Sequence, residues 1–205
     1  MSESALARRA LTFGTLPVVC AVLVALNGLY LLIVAFGNIT DFPTNQAFVH
    51  HVLAMDTTNF TTKPGTGLDP HVMWRAITAP WLQDLCYVAL IAWEVAAGLM
   101  LAIATVFWFR GRRTGYETAR RLSTTGLVMH VLLFFGGFTV IGGEWFQMWT
   151  STFWNGEDPA FRNSALAILT LVVLYLPVER PSSDKRLTHS FDGDQRLNCA
   201  KTADV

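Results

Sequence analysis

Four long apolar stretches constrain the fold of this chain more than any other feature. A helix needs about 20 mostly apolar residues to cross the hydrocarbon core of a bilayer, with a tolerated range of roughly 17 to 25. A surface helix of a soluble bundle would instead carry a polar stripe, which none of these stretches shows. The chain is 52% apolar and only 15% charged. The sequence therefore predicts an all-α fold, a bundle of four transmembrane helices at about 14–37, 81–109, 122–145 and 161–178.

Basic residues are concentrated on one side of these four helices. Of the fifteen Lys and Arg residues, two precede the first helix, five lie between the second and third, and five follow the fourth. Lys63, Arg75 and Arg162 lie on the opposite side. Because short cytoplasmic loops carry an excess of Lys and Arg, we expect both termini, residues 1–13 and the polar tail 179–205, in the cytoplasm. We thus predict a multi-pass protein of a bacterial inner membrane with a flexible tail.

The first outer loop, residues 38–80, is too long to be a plain connector. Its residues 44–55 place apolar side chains at the i, i+3, i+4, i+7 spacing of a helix that lies on a membrane surface or on its own bundle. Asp69 and Pro70 then provide an N-cap followed by proline, which predicts a second short helix that ends before Pro80. The sequence therefore predicts short interfacial helices at the outer ends of the bundle.

The second outer loop, residues 146–160, is rich in aromatic side chains. Tryptophan is enriched where membrane helices meet the lipid headgroups. We therefore expect an aromatic belt at this level, formed by Trp145, Trp149 and Trp154.

Glu94 is an ionisable residue at membrane depth, where a charge needs a partner or a cavity. Counted from the cytoplasmic helix ends at a rise of 1.5 Å per residue, Glu94 lies about 22 Å deep and Asn27 about 20 Å deep. Gly136 and Gly137 fall near the same level and would allow close helix approach. We therefore predict a Glu94–Asn27 contact, with Tyr30 as a second partner. A protonated Glu94 that joins helices, a proton or ion site, and a subunit interface remain open as its role.

His130 is a second polar residue at membrane depth, about 12 Å from the cytoplasmic end of its helix. A lone membrane histidine suggests a haem ligand. The other three predicted helices contain no histidine, so the sequence disfavours a bis-histidine haem held by this chain alone. A haem shared with a partner chain remains open.

The histidines and acidic residues of the outer loops do not have the spacing of a metal site. His50 and His51 are adjacent, so on a helix they point about 100° apart and would rarely bind one ion. The H-x₃-H and C-x₂-C spacings of metal sites are absent, as are the nucleophile elbow, P-loop, GxGxxG and HExxH motifs. We therefore predict no metal, no catalytic residue and no enzymatic activity, and no cofactor apart from a bound lipid or quinone.

Five separate phrases carry a family resemblance, namely FVHHVLAMDTT (48–58), MWRAIT (73–78), IAWE (91–94), GGEWFQMW (142–149) and WNGEDPAFR (154–162). In this order they resemble a bacterial family of predicted small integral membrane proteins, domain of unknown function 2165. The resemblance implies four helices in the same topology and no assigned activity. In two respects the chain departs from the family. His50 stands where members tend to have arginine, and residues 59–72 are an insertion, so His71 is not expected to be a family feature.

Three segments on the outer side form a surface that we name the cap: Phe48–Thr58, Met73–Thr78 and Gly142–Arg162. We predict an ion-pair cluster of Asp56, Arg75, Glu144 and Arg162 that ties the two outer loops together. A surface rich in aromatic residues and arginine is also typical of protein interfaces. The candidate residues of the cap are His51, Asp56, Arg75, Glu144, Trp145, Trp149, Trp154 and Arg162.

Three functions are compatible with these features. The first is a non-catalytic accessory subunit that docks on a larger membrane complex, such as a respiratory or other membrane oxidoreductase. The second is a small transporter or a lipid- or quinone-binding protein that uses Glu94 and Asn27. A weaker third is a redox subunit that carries a metal or haem. The lipid bilayer and membrane-protein subunits are the expected partners, and nucleic acid is not.

Overall fold

The computed structural model describes residues 15–60 and 63–176, and this part of the chain is helical without any strand. It contains α1 (Leu16–Thr40), α2 (Phe42–Ala54), α3 (Pro80–Thr114), α4 (Glu117–Val131), a π-helix that continues α4 directly (Leu132–Trp145), and α5 (Glu157–Leu174). Single 3₁₀ turns occur at Met73–Arg75 and Met148–Thr150. The predicted all-α class is confirmed, whereas the predicted N-terminal segment 1–13 and tail 179–205 lie outside the described residues.

Three of the described helices, not four, are long and apolar enough to cross a membrane. They are Leu16–Thr40, Pro80–Gly111 and the continuous helix Glu117–Trp145. The predicted fourth span corresponds to α5, which has 18 residues. Its first six residues include three charges, Glu157, Asp158 and Arg162. α5 therefore does not meet the apolar requirement over its whole length, because its helix begins in the charged part of the sequence, and a fourth span at this helix stays a prediction.

Glycines bring α1, α3 and α4 close together around the fully buried side chain of Leu101. A Cβ added to Gly28 of α1 would lie 2.9 Å from Cβ of Leu101, and one added to Gly126 of α4 would lie 2.6 Å from its Cδ2. Neither position could hold a side chain without a shift. The predicted close approach at Gly136 is wrong, because a Cβ there would meet nothing within 4 Å.

α3 is the longest helix, with 35 residues, and it extends beyond the end of α1. α2 packs beside this extension, where Val49 contacts the buried side chains of Tyr87 and Ile91. Polar contacts fix the same pair of helices, since Oδ1 of Asp84 lies 2.7 Å from Nε2 of His50. Oδ1 of Asp84 also accepts a hydrogen bond of 2.7 Å from Gln46. α2 is therefore part of the bundle and not a detached surface helix.

The two outer loops are joined by their backbone and by small hydroxyl side chains. The amide of Phe60 donates to the carbonyl of Thr150 (3.1 Å), and Oγ of Ser151 donates to Oγ1 of Thr57 (2.9 Å). The predicted helix after Asp69 is reduced to the 3₁₀ turn Met73–Arg75. Asp69 does not cap this turn, and its Oδ1 instead accepts the amide of His71 at 2.9 Å in the turn that precedes it.

The glycine contacts around Leu101 predict a position-specific loss of stability. Gly28→Ala should lower the melting temperature of the purified protein in detergent, because overpacking of this kind costs about 1–3 kcal/mol. Gly37→Ala is the matched control in the same helix, since a Cβ there meets nothing within 4 Å. It should be neutral or slightly stabilising, because alanine favours a helix by up to about 1 kcal/mol over glycine. Equal melting temperatures for the two variants would contradict this packing.

Candidate functional site

An apolar cavity of about 600 Å³ lies between α2, α3 and the π-helix. α2 contributes Phe48, Val49, Val52 and Leu53, and α3 contributes Cys86, Ala89, Leu90 and Trp93. The π-helix supplies the opposite wall, and Phe146 and Met148 close the end under the cap. Each of the described lining residues is apolar or a glycine. The cavity is therefore suited to hydrocarbon and offers no charged side chain to a ligand.

The cavity forms where α3 and α4 stop packing closely. On the side of the cavity away from the cap, Trp108 of α3 donates its indole proton to Oγ of Ser123 of α4 at 2.9 Å. The hydrogen bond between these two helices that lies nearest the cavity comes from Trp93, whose Nε1 donates to the carbonyl oxygen of Met129 at 2.9 Å. Beyond Trp93 the π-helix diverges from α3, and the side chains of α2 flank the gap.

The π-helix itself widens the gap. π-helices are rare and mostly single-turn bulges that occur frequently at functional sites, whereas this one has 14 residues. Its end is marked by an i to i−5 bond, from the amide of Phe146 to the carbonyl of Ile141 (3.0 Å). Gly137 lines the cavity, and a Cβ there would meet only the carbonyl oxygen of Leu132, at 3.9 Å. The missing side chain at this position therefore leaves part of the cavity volume free.

The cavity is open along one flank, between α3 and the π-helix. Its lining residues on this flank are exposed: Ala89 and Trp93 on α3, and Leu132 and Ile141 on the π-helix. Both helices are apolar enough to span a membrane. In a bilayer the opening would therefore face lipid chains.

Glu94 is paired with Asn38 and not with Asn27. Nδ2 of Asn38 donates to Oε2 of Glu94 at 2.8 Å, and Oδ1 of Asn38 accepts from Asn45 at 2.6 Å. Eleven residues separate Asn27 from Asn38 along α1, which corresponds to about 16 Å. The predicted Glu94–Asn27 contact is therefore wrong, because Gly28, the neighbour of Asn27, packs against Leu101, which lies seven residues from Glu94 along α3. Neither Glu94 nor Asn27 lines the cavity.

Asn27 and Tyr30 connect α1 to α5. Nδ2 of Asn27 donates to Oγ1 of Thr170 at 3.1 Å, and Nδ2 of Asn163 donates to the hydroxyl of Tyr30 at 2.7 Å. Sequence reasoning did not identify Asn163 as a partner, although an asparagine at the third position of the predicted helix 161–178 was the available signal. These two hydrogen bonds give the polar side chains a structural role between two helices.

His130 is 1% exposed, and among the described residues neither of its ring nitrogens has a hydrogen-bond partner. Its ring is parallel to that of Tyr30, with centroids 6.1 Å apart, and contacts Phe134 at 5.1 Å. It lies outside the apolar cavity. The haem hypothesis gains no second ligand among the described residues, where no group of three His, Cys, Asp or Glu could hold a metal ion.

The predicted ion-pair cluster of the cap is wrong. Asp56 bonds to His51, whose Nδ1 lies 2.9 Å from each carboxylate oxygen. Arg75 instead lies against two indoles, with Cζ 5.0 Å from the ring of Trp145 and 5.6 Å from that of Trp74. Its Nη1 donates to the carbonyl oxygen of Trp145 at 3.3 Å. The guanidinium of Arg75 thus packs against indole rings, where carboxylates were expected.

The remaining candidate residues of the cap lie apart from one another. Trp154 stacks on His51 with a centroid distance of 4.6 Å, while Trp149 packs edge-on against Phe60. Arg162 is exposed. Glu144 lies near Glu157, whose carboxylate oxygen Oε1 reaches Gly143, the residue before Glu144. Like charges therefore meet at the start of α5, where the helix N-terminus favours them.

Comparison with known proteins identifies the family of the chain. Residues 16–177 match the family model described as predicted small integral membrane protein (DUF2165). Neither the curated proteins nor the solved structures gave a significant match. The match covers every helix of the described structure. The chain therefore belongs to the DUF2165 family of predicted small integral membrane proteins.

Proposed function

We propose that this protein binds the hydrocarbon chain of a lipid or an isoprenoid quinone in the cavity between α2, α3 and the π-helix. The observation that carries the proposal is the apolar cavity of about 600 Å³, open on the flank that faces lipid. Ligand pockets typically have about 300–1,000 Å³ and are lined mainly by apolar and aromatic side chains. A hydrocarbon chain that enters the cavity from the bilayer would exchange one apolar environment for another. The shape of the cavity and the packing of its lining side chains would therefore determine the affinity.

The ligand does not involve Glu94 and Asn27 in this proposal. Both side chains are buried in hydrogen bonds to other helices, away from the cavity wall. The binding group is instead the set of apolar side chains on three helices. This arrangement fits recognition of a chain and provides no group for acid–base chemistry inside the cavity.

We further propose that α5 is a fourth span and that both termini are cytoplasmic. At one end of α5, Glu157 reaches Gly143, near the end of the third apolar span. Just past its other end, the hydroxyl of Tyr175 lies 3.0 Å from Oγ1 of Thr124, near the start of that span. The 18 residues of α5 correspond to about 27 Å, close to the thickness of a hydrocarbon core. Together with the distribution of Lys and Arg, this supports an even number of spans in a bacterial inner membrane.

A second candidate function is an accessory subunit of a larger membrane complex. It is favoured by exposed aromatic side chains of the cap, since Phe153 is 80% exposed and Trp74 is 70% exposed. Aromatic residues are enriched in protein interfaces. They are also enriched at the level of lipid headgroups, so this surface by itself supports the subunit role less specifically than the cavity supports ligand binding.

A side chain added at Gly137 should fill the cavity and prevent binding. We expect Gly137→Leu to weaken labelling by a photoactivatable diacylglycerol about tenfold or more, because overpacking costs about 1–3 kcal/mol. Cross-linked residues would be mapped by mass spectrometry. The matched control is Gly136→Leu, which makes the same change at the neighbouring position outside the cavity wall. Labelling spread evenly over all lipid-facing residues, and equal in both variants, would contradict the proposal.

The topology can be tested with reporters fused to each end of the chain. If α5 is a fourth span, alkaline phosphatase should be inactive and a fluorescent protein bright at both termini. If only the three apolar helices cross the membrane, the two termini would report opposite sides. That result would remove the fourth span without affecting the ligand proposal.

The accessory role predicts a stoichiometric partner after purification in mild detergent. Phe153→Asp should release this partner while the melting temperature stays unchanged, because the side chain is exposed and its replacement leaves the bundle intact. Quantitative mass spectrometry of the purified wild type and of the purified variant measures how much of the partner each retains. A wild-type preparation that contains only this chain would count against the accessory role.

A further inference from the structure

Arg75 lies beside the open cavity without an acidic partner. Among the described residues it forms no ion pair, and its Nε is buried without a hydrogen-bond partner. The guanidinium is held by the ring of Trp145 and by the carbonyl oxygen of the same residue. Phe146, which follows Trp145, and Ile77, two residues after Arg75, both line the cavity. The positive charge is thus fixed within one or two residues of the cavity wall.

This position corresponds to the level of the lipid headgroups. Trp145 is the last residue of the third apolar span, and Pro80, five residues after Arg75, is the first of the second. A ligand whose chains fill the cavity would therefore have its polar end near Arg75. Arginine binds phosphate oxygens through its planar set of donors, and such charge-assisted bonds are stronger than neutral ones.

A carboxylate also lies close to this position in the chain, because Glu144 directly precedes Trp145. Glu144 borders a depression that shares Ile141 and Phe146 with the apolar cavity. It is exposed, and no ion pair joins it to Arg75 or to another described residue. Arg75, which contacts the indole of Trp145, and Glu144, its neighbour in the chain, therefore carry opposite charges without neutralising each other. A group that carries a phosphate and an ammonium could contact both.

We propose that the ligand is a phospholipid with a phosphoethanolamine headgroup, whose phosphate binds Arg75 and whose ammonium group binds Glu144. The inference rests on the proposed function, because the acyl chains occupy the cavity between α2, α3 and the π-helix. It adds the class of headgroup and the residues that select it. Glu144 would disfavour headgroups with a net negative charge, and a chain without phosphate would lose the contact with Arg75.

The test compares photoactivatable probes with identical acyl chains in micelles of dodecyl maltoside, an uncharged detergent without phosphate. One probe is a phosphatidylethanolamine, one a phosphatidylglycerol, and one a diacylglycerol without phosphate. In the wild type, the phosphatidylethanolamine probe should label the cavity at a concentration about tenfold lower than the diacylglycerol probe requires, given the strength of charged hydrogen bonds. Arg75→Gln should remove this advantage and leave labelling by diacylglycerol unchanged. Arg75→Lys should restore part of it, because the charge is kept.

Two further variants make the test specific. Glu144→Gln should reduce the preference for phosphatidylethanolamine over phosphatidylglycerol, and Arg162→Gln, at an exposed arginine of the cap, should change nothing. The headgroup inference is overturned if Arg75→Gln weakens all three probes equally, or if inorganic phosphate binds Arg75 while the wild type labels equally with all probes. If none of the three probes labels the cavity, the proposed function fails instead.

Discussion

The packing of Leu101 against two glycines is the contact on which the rest of the fold depends. Gly28 of α1 and Gly126 of α4 both meet this side chain, so three helices approach closely at one level of the bundle. In a membrane, where water does not drive helices together, such close packing is a main source of helix association. Helices fixed tightly at one level can diverge elsewhere. The apolar cavity is the space left by that divergence, beyond the bond between Trp93 and Met129.

The sequence was sufficient to predict the helical class, three of the spans and the presence of α2. These features depend on the length and period of apolar runs, which are local properties. Depth along a helix was harder to predict, because it depends on where each helix ends. The predicted depths placed Asn27 and Glu94 at one level, whereas Gly28, next to Asn27, packs against Leu101, seven residues from Glu94 along α3. Glu94 therefore meets Asn38 in place of Asn27. An error of about 10 Å in depth changes which polar residues meet inside a membrane.

The cap shows a second limit of reasoning from sequence. Arg75, Asp56 and Glu144 have complementary charges and lie in neighbouring loops, but charge alone does not determine pairing. A histidine five residues before Asp56 binds it within its own loop. Arg75 packs against the indole of Trp145 and forms no ion pair with a described residue. The π-helix was likewise not predictable, because its residues Leu132–Trp145 have the composition of an ordinary membrane helix. This π-helix forms one wall of the cavity, and no sequence motif predicts a π-helix.

The polar residues of the bundle and those of the cap differ in whether their hydrogen-bonding and charged groups are free to bind a ligand. Glu94, Asn27 and Tyr30 are already used in bonds between helices, so a ligand would have to compete with them. Arg75 contacts Trp145 at the end of a span, Glu144 precedes that tryptophan in the chain, and neither has a charged partner among the described residues. The hydrogen-bonding groups of Glu94, Asn27 and Tyr30 therefore hold helices together. For this reason we place the proposed recognition of a ligand at the boundary of the bundle, where apolar chains and a charged headgroup could be bound side by side.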